Sequence, residues 1–181
     1  MFSILSHRVI CTLFFIFVSS QIIQASTKEP SITDLDWLIG KWQYNDVAVK
    51  GAYTDKGIRI CEYTLNKSYI ACLSDGVTNT GKKRSYYFYF NYNKLDKRFE
   101  ITSLTSDYPR KNLYIVTVQE NNHKLSLTSK SWTKDGMVDN NTAAITYNGK
   151  NIWLWKIRYG EADPETGIIP VSYIDKSTRI D

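Results

Sequence analysis

Beyond residue 40 the chain alternates apolar and polar positions in short runs, and turn residues interrupt the alternation at close intervals. Period-two patterning belongs to half-buried strands, whose successive side chains face opposite sides of a sheet. The runs predict strands over 42–50, 58–65, 69–74, 85–92, 98–105, 113–119, 123–132, 143–147 and 152–159, with a last edge strand over 168–174. Faces are legible in places. Phe99 and Ile101 oppose Arg98 and Glu100, and Leu125 and Leu127 oppose Lys124, Ser126 and Thr128. Trp153, Trp155, Ile157 and Tyr159 share a face opposite Lys156 and Arg158. Tyr86-Tyr87-Phe88-Tyr89-Phe90 is aromatic on both faces, which suits a core strand with a tyrosine row at the water side, or a contact surface.

The interruptions carry their own information. Asn66-Lys67 and Asn148-Gly149 each separate two alternating runs, as hairpin turns do. Pro109 falls in the loop before 113–119, and Pro170 argues against a central place for the final run. Residues 33–39 fit one helical turn capped by Thr33 or Asp34. Gly40 then lets the chain turn sharply into the first strand. No run supports a helix of about ten residues. Roughly eight to ten strands joined by short turns predict an all-β fold, an antiparallel up-and-down β-barrel closed so that no edge is left free. A two-sheet sandwich is the competing arrangement, and the scarcity of long crossovers favours the barrel.

The first residues change the picture of compartment. Arg8 precedes an apolar run from Val9 to Val18, followed by a small-residue segment ending at Ala25. This is the pattern of a secretory signal peptide, with cleavage expected after Ala25. The apolar core of about ten residues is short for a membrane span, which needs about twenty; an uncleaved anchor is the alternative. The expected organisation is a signal peptide over 1–25 and a single domain over 26–181, periplasmic or secreted, with no stable membrane span after processing. The net charge of +5 is mild and its lysines are scattered, apart from Lys82-Lys83-Arg84. Export and this scatter speak against a nucleic-acid partner.

Of three cysteines, Cys11 lies in the leader, leaving Cys61 and Cys72. A two-residue loop at Asn66-Lys67 sets them opposite each other at a hydrogen-bonded pair, where Cα atoms are about 5.5 Å apart. An even pair in an exported chain suggests a disulfide, the alternative being two buried thiols.

Gly40-Lys41-Trp42, behind its apolar turn, resembles the Gly-x-Trp opening of the lipocalins and the wider calycin barrels. Leu35-Asp36-Trp37-Leu38-Ile39-Gly40-Lys41-Trp42 is most similar to the start of lipocalin-like bacterial domains of the DUF1579 type. Cys61-Glu62-Tyr63 and Tyr69-Ile70-Ala71-Cys72 resemble their second hairpin. The resemblance implies that Gly40 and Trp42 close one barrel end and that a late arginine, Arg158, stacks on the tryptophan. Ser106-Asp107-Tyr108 resembles the family's Thr-Asp-Tyr segment. Related barrels bind haem through a late histidine; His123, in an Asn-Asn-His-Lys stretch, reads instead as a solvated turn residue.

Catalytic chemistry has little to stand on. His123 is the sole base for a nucleophilic triad and no Gly-x-Ser-x-Gly is present. One histidine and a cysteine pair do not make a zinc site. Glu161, Asp163 and Glu165 read as an exposed acidic loop, and no cofactor is implied. A ligand pocket needs a concave apolar wall with a few polar anchors. The expected wall is Tyr86, Phe88, Phe90, Trp153 and Trp155, with Arg158 or Lys156 pairing with a ligand carboxylate if that face is internal. The function expected is binding of a small hydrophobic or amphipathic ligand, with fatty acids and retinoids as natural titration probes. The alternatives are an envelope module that binds protein or glycan through its aromatic strand, and a barrel enzyme of isomerase or decarboxylase type.

Overall fold

The computed structural model describes residues 29–50, 53–106, 108–119, 123–133, 136–138, 142–158, 161 and 163–181. The expected leader, Asp107 of the Ser-Asp-Tyr segment and Tyr159 lie outside the described residues. A 3-10 turn, Ile32–Leu38, precedes β1 (Gly40–Ala48), β2 (Thr54–Thr64), β3 (Tyr69–Thr78), β4 (Lys83–Asn93), β5 (Arg98–Thr105) and β6 (Tyr108–Gln119). There follow β7 (Lys124–Thr133), β8 (Gly136–Val138), β9 (Thr142–Tyr147), β10 (Ile152–Arg158) and β11 (Val171–Arg179). Each strand pairs antiparallel with its neighbour, and β11 returns to β1, so ten strands form a closed barrel. The short β8 pairs with β7 outside that ring.

The inward face accounts for the core. Phe88, Phe90, Phe99, Ile101, Leu125, Leu127, Trp153 and Trp155 are all buried in one cluster. The 3-10 turn plugs one end of the barrel. Ser31 precedes it and its N–H donates to the Asp34 carboxylate at 2.9 Å, so the cap is Ser31, ahead of the Thr33 or Asp34 that the sequence suggests. Leu35 and Leu38 point into the barrel, and Trp37 stacks on Tyr147 with ring centroids 5.1 Å apart.

Three strands run further than expected for one reason. β2 begins at Thr54, β3 runs on to Thr78, and β11 runs on to Arg179. The inward residues of these strands include Asp55, Arg59, Ser74, Thr78, Asp175 and Ser177, which are buried and polar. Alternation of apolarity does not mark such a face. β11 is accordingly central, between β1 and β10, and Pro170 lies just before it. Pro109 sits inside β6 rather than in a loop, next to the register shift between Leu104 and Thr105. Irregular pairing there suits a residue that has no N–H to donate.

Cys61 and Cys72 are opposite each other and form a disulfide. Their register is as expected, but the turn is longer: pairing ends at Thr64 and Tyr69, and Leu65, Asn66 and Lys67 all take positive φ. The Cα atoms are 4.0 Å apart. That is the narrow spacing of a non-hydrogen-bonded pair, so the four-residue turn has inverted the hydrogen-bond phase expected from a two-residue one.

Candidate functional site

The plugged end and the far end of the barrel differ in chemistry. At the plugged end Trp42 is fully buried and donates its Nε1–H to the Leu38 carbonyl at 2.8 Å. The arginine above it is Arg179, its guanidinium 4.2 Å from the ring centroid. The same group donates to the carbonyls of Ile39 at 2.7 Å and Trp37 at 3.1 Å, tying the last strand to the plug. Arg158 does not take this role. Its face of β10 is opposite Trp153 and Trp155, and it donates instead to the Ile169 carbonyl at 2.7 Å. Gly40 explains why glycine opens the motif: its φ is +134°, and a Cβ would collide with the Arg179 guanidinium.

Toward the other end the interior becomes polar. Arg59 is buried and donates to Ser74 Oγ at 2.6 Å, Ser177 Oγ at 2.9 Å and Asp175 Oδ2 at 2.6 Å. Its planar face lies against Tyr44, Phe88 and Trp153, which shelters the buried ion pair. Asp55 is equally buried and accepts from Tyr44 Oη at 3.2 Å and Tyr86 Oη at 2.6 Å, with the Arg84 guanidinium 3.9 Å away. Burial and these bonds to a carboxylate hold both phenols well above their ordinary pKa. Both phenols therefore stay protonated and donate to Asp55. Tyr44 has room because Gly76 faces it; a Cβ there would strike the phenol oxygen.

Asp55, Asp46 and Asp175 are register partners on β2, β1 and β11, so three carboxylates adjoin in one row. Trp155 continues that row on β10. Burial, reinforced by the charges of Asp175 and Asp55, pushes the Asp46 carboxyl up to about 7. It can therefore exchange a proton near neutral pH. A cavity of about 130 Å³ opens beside this row, lined by Asp46, Arg59, Tyr86, Phe88, Thr105, Tyr114 and Trp155 among others. Asp46 Oδ1, Thr105 Oγ1 and Trp155 Nε1, all of lining residues, are buried without a hydrogen-bond partner among the described residues.

Of the expected wall, Tyr86, Phe88 and Trp155 line the cavity. Phe90 and Trp153 are buried but do not line it. Arg158 does not line it and Lys156 is exposed, because the inward face of β10 carries Trp153, Trp155 and Ile157. His123 is exposed, its ring edge-on to Tyr147. Among the described residues no group of three His, Cys, Asp or Glu could hold a metal. Asp163 uses its carboxylate on its own loop, accepting from the N–H groups of Glu165 and Thr166. Sequence reasoning missed Tyr44, Asp46, Asp55, Arg59 and Asp175. One signal was available for Arg59: it lies two residues before Cys61, on the same face as the disulfide.

No family model matches the chain and no curated protein matches it. The kinship with the DUF1579-type group therefore finds no support in these comparisons. Several solved structures are similar. A de novo designed fluorescence-activating β-barrel shares 11% identity over 80% of this chain and 95% of its own, with a TM-score of 0.41. The barrel EF1p2_mFAP2b bound to DFHBI shares 13% identity over 82% of this chain and 98% of its own, with a TM-score of 0.47. The redesigned barrel mFAP0 bound to DFHBI shares 12% identity over 79% and 99%, with a TM-score of 0.40.

Proposed function

We propose that this chain is an exported lipocalin-like protein that binds a small amphipathic molecule inside its barrel. The observation that carries this reading is the cavity itself. It combines an aromatic wall, Phe88, Tyr114 and Trp155, with polar atoms of Asp46, Thr105 and Trp155 that no described residue engages. A concave apolar surface with a few convergent polar groups is the usual form of a small-molecule site. Its size, about 130 Å³, suits a single ring and not a retinoid or a long fatty acid. The lipocalin reading is supported by the Gly40–Trp42–Arg179 arrangement at the plugged end. Export is supported by the leader pattern and by the Cys61–Cys72 disulfide, which suits an oxidising compartment.

Filling the cavity is the direct test. Ser103 is buried and lines it. Ser103→Phe should weaken binding of single-ring probes at least about tenfold, followed by tryptophan fluorescence, while far-UV circular dichroism stays unchanged. Unaltered affinity in a folded variant would remove the cavity as the binding site.

One further observation favours a surface role beside this. Ile60, Leu73, Tyr87 and Leu104 are register partners across β2, β3, β4 and β5, and Ile60, Tyr87 and Leu104 are exposed. Tyr89 stacks on Tyr87. This outer row is the form that the aromatic-strand interaction module takes. Tyr87→Asp should abolish any such contact without touching the cavity, which pull-down from host extract would show.

A further inference from the structure

We propose that the occupant of this cavity is a small aromatic ammonium, a single ring on a short arm ending in one amine, whose charge pairs with Asp46. The inference rests on the ligand-binding reading above and narrows its ligand class. Three observations carry it.

The first is a mismatch of charge. Among the described residues the row holds three carboxylates, Asp46, Asp55 and Asp175, and two guanidiniums, Arg59 and Arg84, reach them. Asp175 is engaged by Arg59 and Ser177, and Asp55 by Tyr44 and Tyr86. Asp46 is left over: its Oδ1 is buried without a hydrogen-bond partner among the described residues, on a side chain that is otherwise half-buried. A carboxylate with a buried, unpartnered oxygen is costly to ionise, and a cation brought by a ligand offsets that cost.

The second is the wall. Phe88 and Tyr114 both pack against Trp155, and the three rings line the same space as Asp46. Such faces take an aromatic ring and favour a nearby cation. Trp155 is 2% exposed and its Nε1–H has no acceptor among the described residues, so a ring hydroxyl is accommodated as well. The third is size. About 130 Å³ is close to the roughly 150 Å³ of an engineered protein cavity that admits benzene. One ring fits, and two do not.

Protonation gives the pairing a signature. The groups facing Asp46 are Asp55 and Arg59 on β2, Asp175 on β11, Arg84 and Tyr86 on β4, and Tyr44 on its own strand. Burial first, and then Asp175 and Asp55 against the opposing Arg59 and Arg84, hold the Asp46 carboxyl up at about 7. An ammonium needs the carboxylate, so a proton on Asp46 competes with it.

The experiment is calorimetric titration of the processed, disulfide-intact protein with 2-phenylethylamine and with its uncharged counterpart 2-phenylethanol. At pH 8 the amine should bind at least about tenfold more tightly than the alcohol. Between pH 8 and pH 6 amine affinity should fall about tenfold, while alcohol affinity stays level. Asp46→Asn should remove both the preference and the pH dependence. Equal affinity for the two probes at pH 8, or an unchanged preference in Asp46→Asn, overturns the ammonium and leaves a neutral-ligand cavity standing. Binding of neither probe overturns the ammonium and the cavity reading together. The unaltered protein tests the pairing without any variant, because amine affinity that stays level from pH 8 to pH 6 also overturns it.

Discussion

Gly40 shows how one residue without a side chain sets a whole end of the barrel. Its positive φ and the guanidinium occupying its Cβ position make any other residue strained there. Gly40→Ala should cost about 1–3 kcal/mol in urea unfolding. The residue also ties sequence to packing, because the space it leaves is what lets Arg179 cover Trp42. Asp46 is the opposite case, a residue whose side chain works against the fold at neutral pH. Its folded pKa of about 7 stands above the unfolded value near 3.9. An acid raised in this way favours the folded state only while protonated. Its contribution is present in full below about pH 4 and is lost as pH rises through 7. Compared with Asp46→Asn, the unaltered protein should therefore lose about 2–4 kcal/mol between pH 4 and pH 8, after allowance for partial solvent screening. Calorimetry of both proteins across that range checks the sign; parallel curves would disprove it.

At the scale of elements, the hairpin of β2 and β3 and the strand β11 hold most of what matters. The disulfide closes a loop with a sequence separation of 11 residues inside the plugged, apolar half. Replacing both cysteines with alanine should cost about 3 kcal/mol by loop-closure entropy, read as a lower midpoint in denaturant. The hairpin register was legible in the sequence because alternation and an Asn-Lys turn agreed on it. The turn length was not, since three successive left-handed residues at Leu65, Asn66 and Lys67 are a backbone choice that composition does not announce. β11 illustrates the other limit. Its inward residues Asp175 and Ser177 are polar and buried, so the pattern predicts only an edge strand over 168–174. Its pairing with β1 joins the first and last strands of the barrel, and no local pattern encodes that.

The molecule as a whole is a barrel with two unlike halves. One is apolar, plugged by Leu35 and Leu38 and pinned by Arg179; the other is a charged and hydroxylated network around a cavity. Arg59 stands at the boundary and bonds to residues of β3 and β11 across the interior. Arg59→Met removes the only described partner cation within ion-pair distance of Asp175 and leaves that carboxylate buried. The expected loss is about 3–5 kcal/mol, measured by thermal and denaturant unfolding. Joint replacement of Arg59 and Asp175 by apolar residues should cost less than the single change, because no buried charge is then stranded.

The amino-acid sequence by itself determined the antiparallel strands, the apolar faces of β5, β7 and β10, the short helical turn before β1 and the facing cysteines. Each of these is local or periodic, and hydrophobicity marks the inside. The tertiary structure alone decided that Arg179 and not Arg158 covers Trp42, and that Asp46, Asp55 and Asp175 meet. Those residues lie on strands brought together by barrel closure, and their polarity hides which way they point. A buried charge is stable only beside its partners, and those partners exist only once the ring of strands has closed.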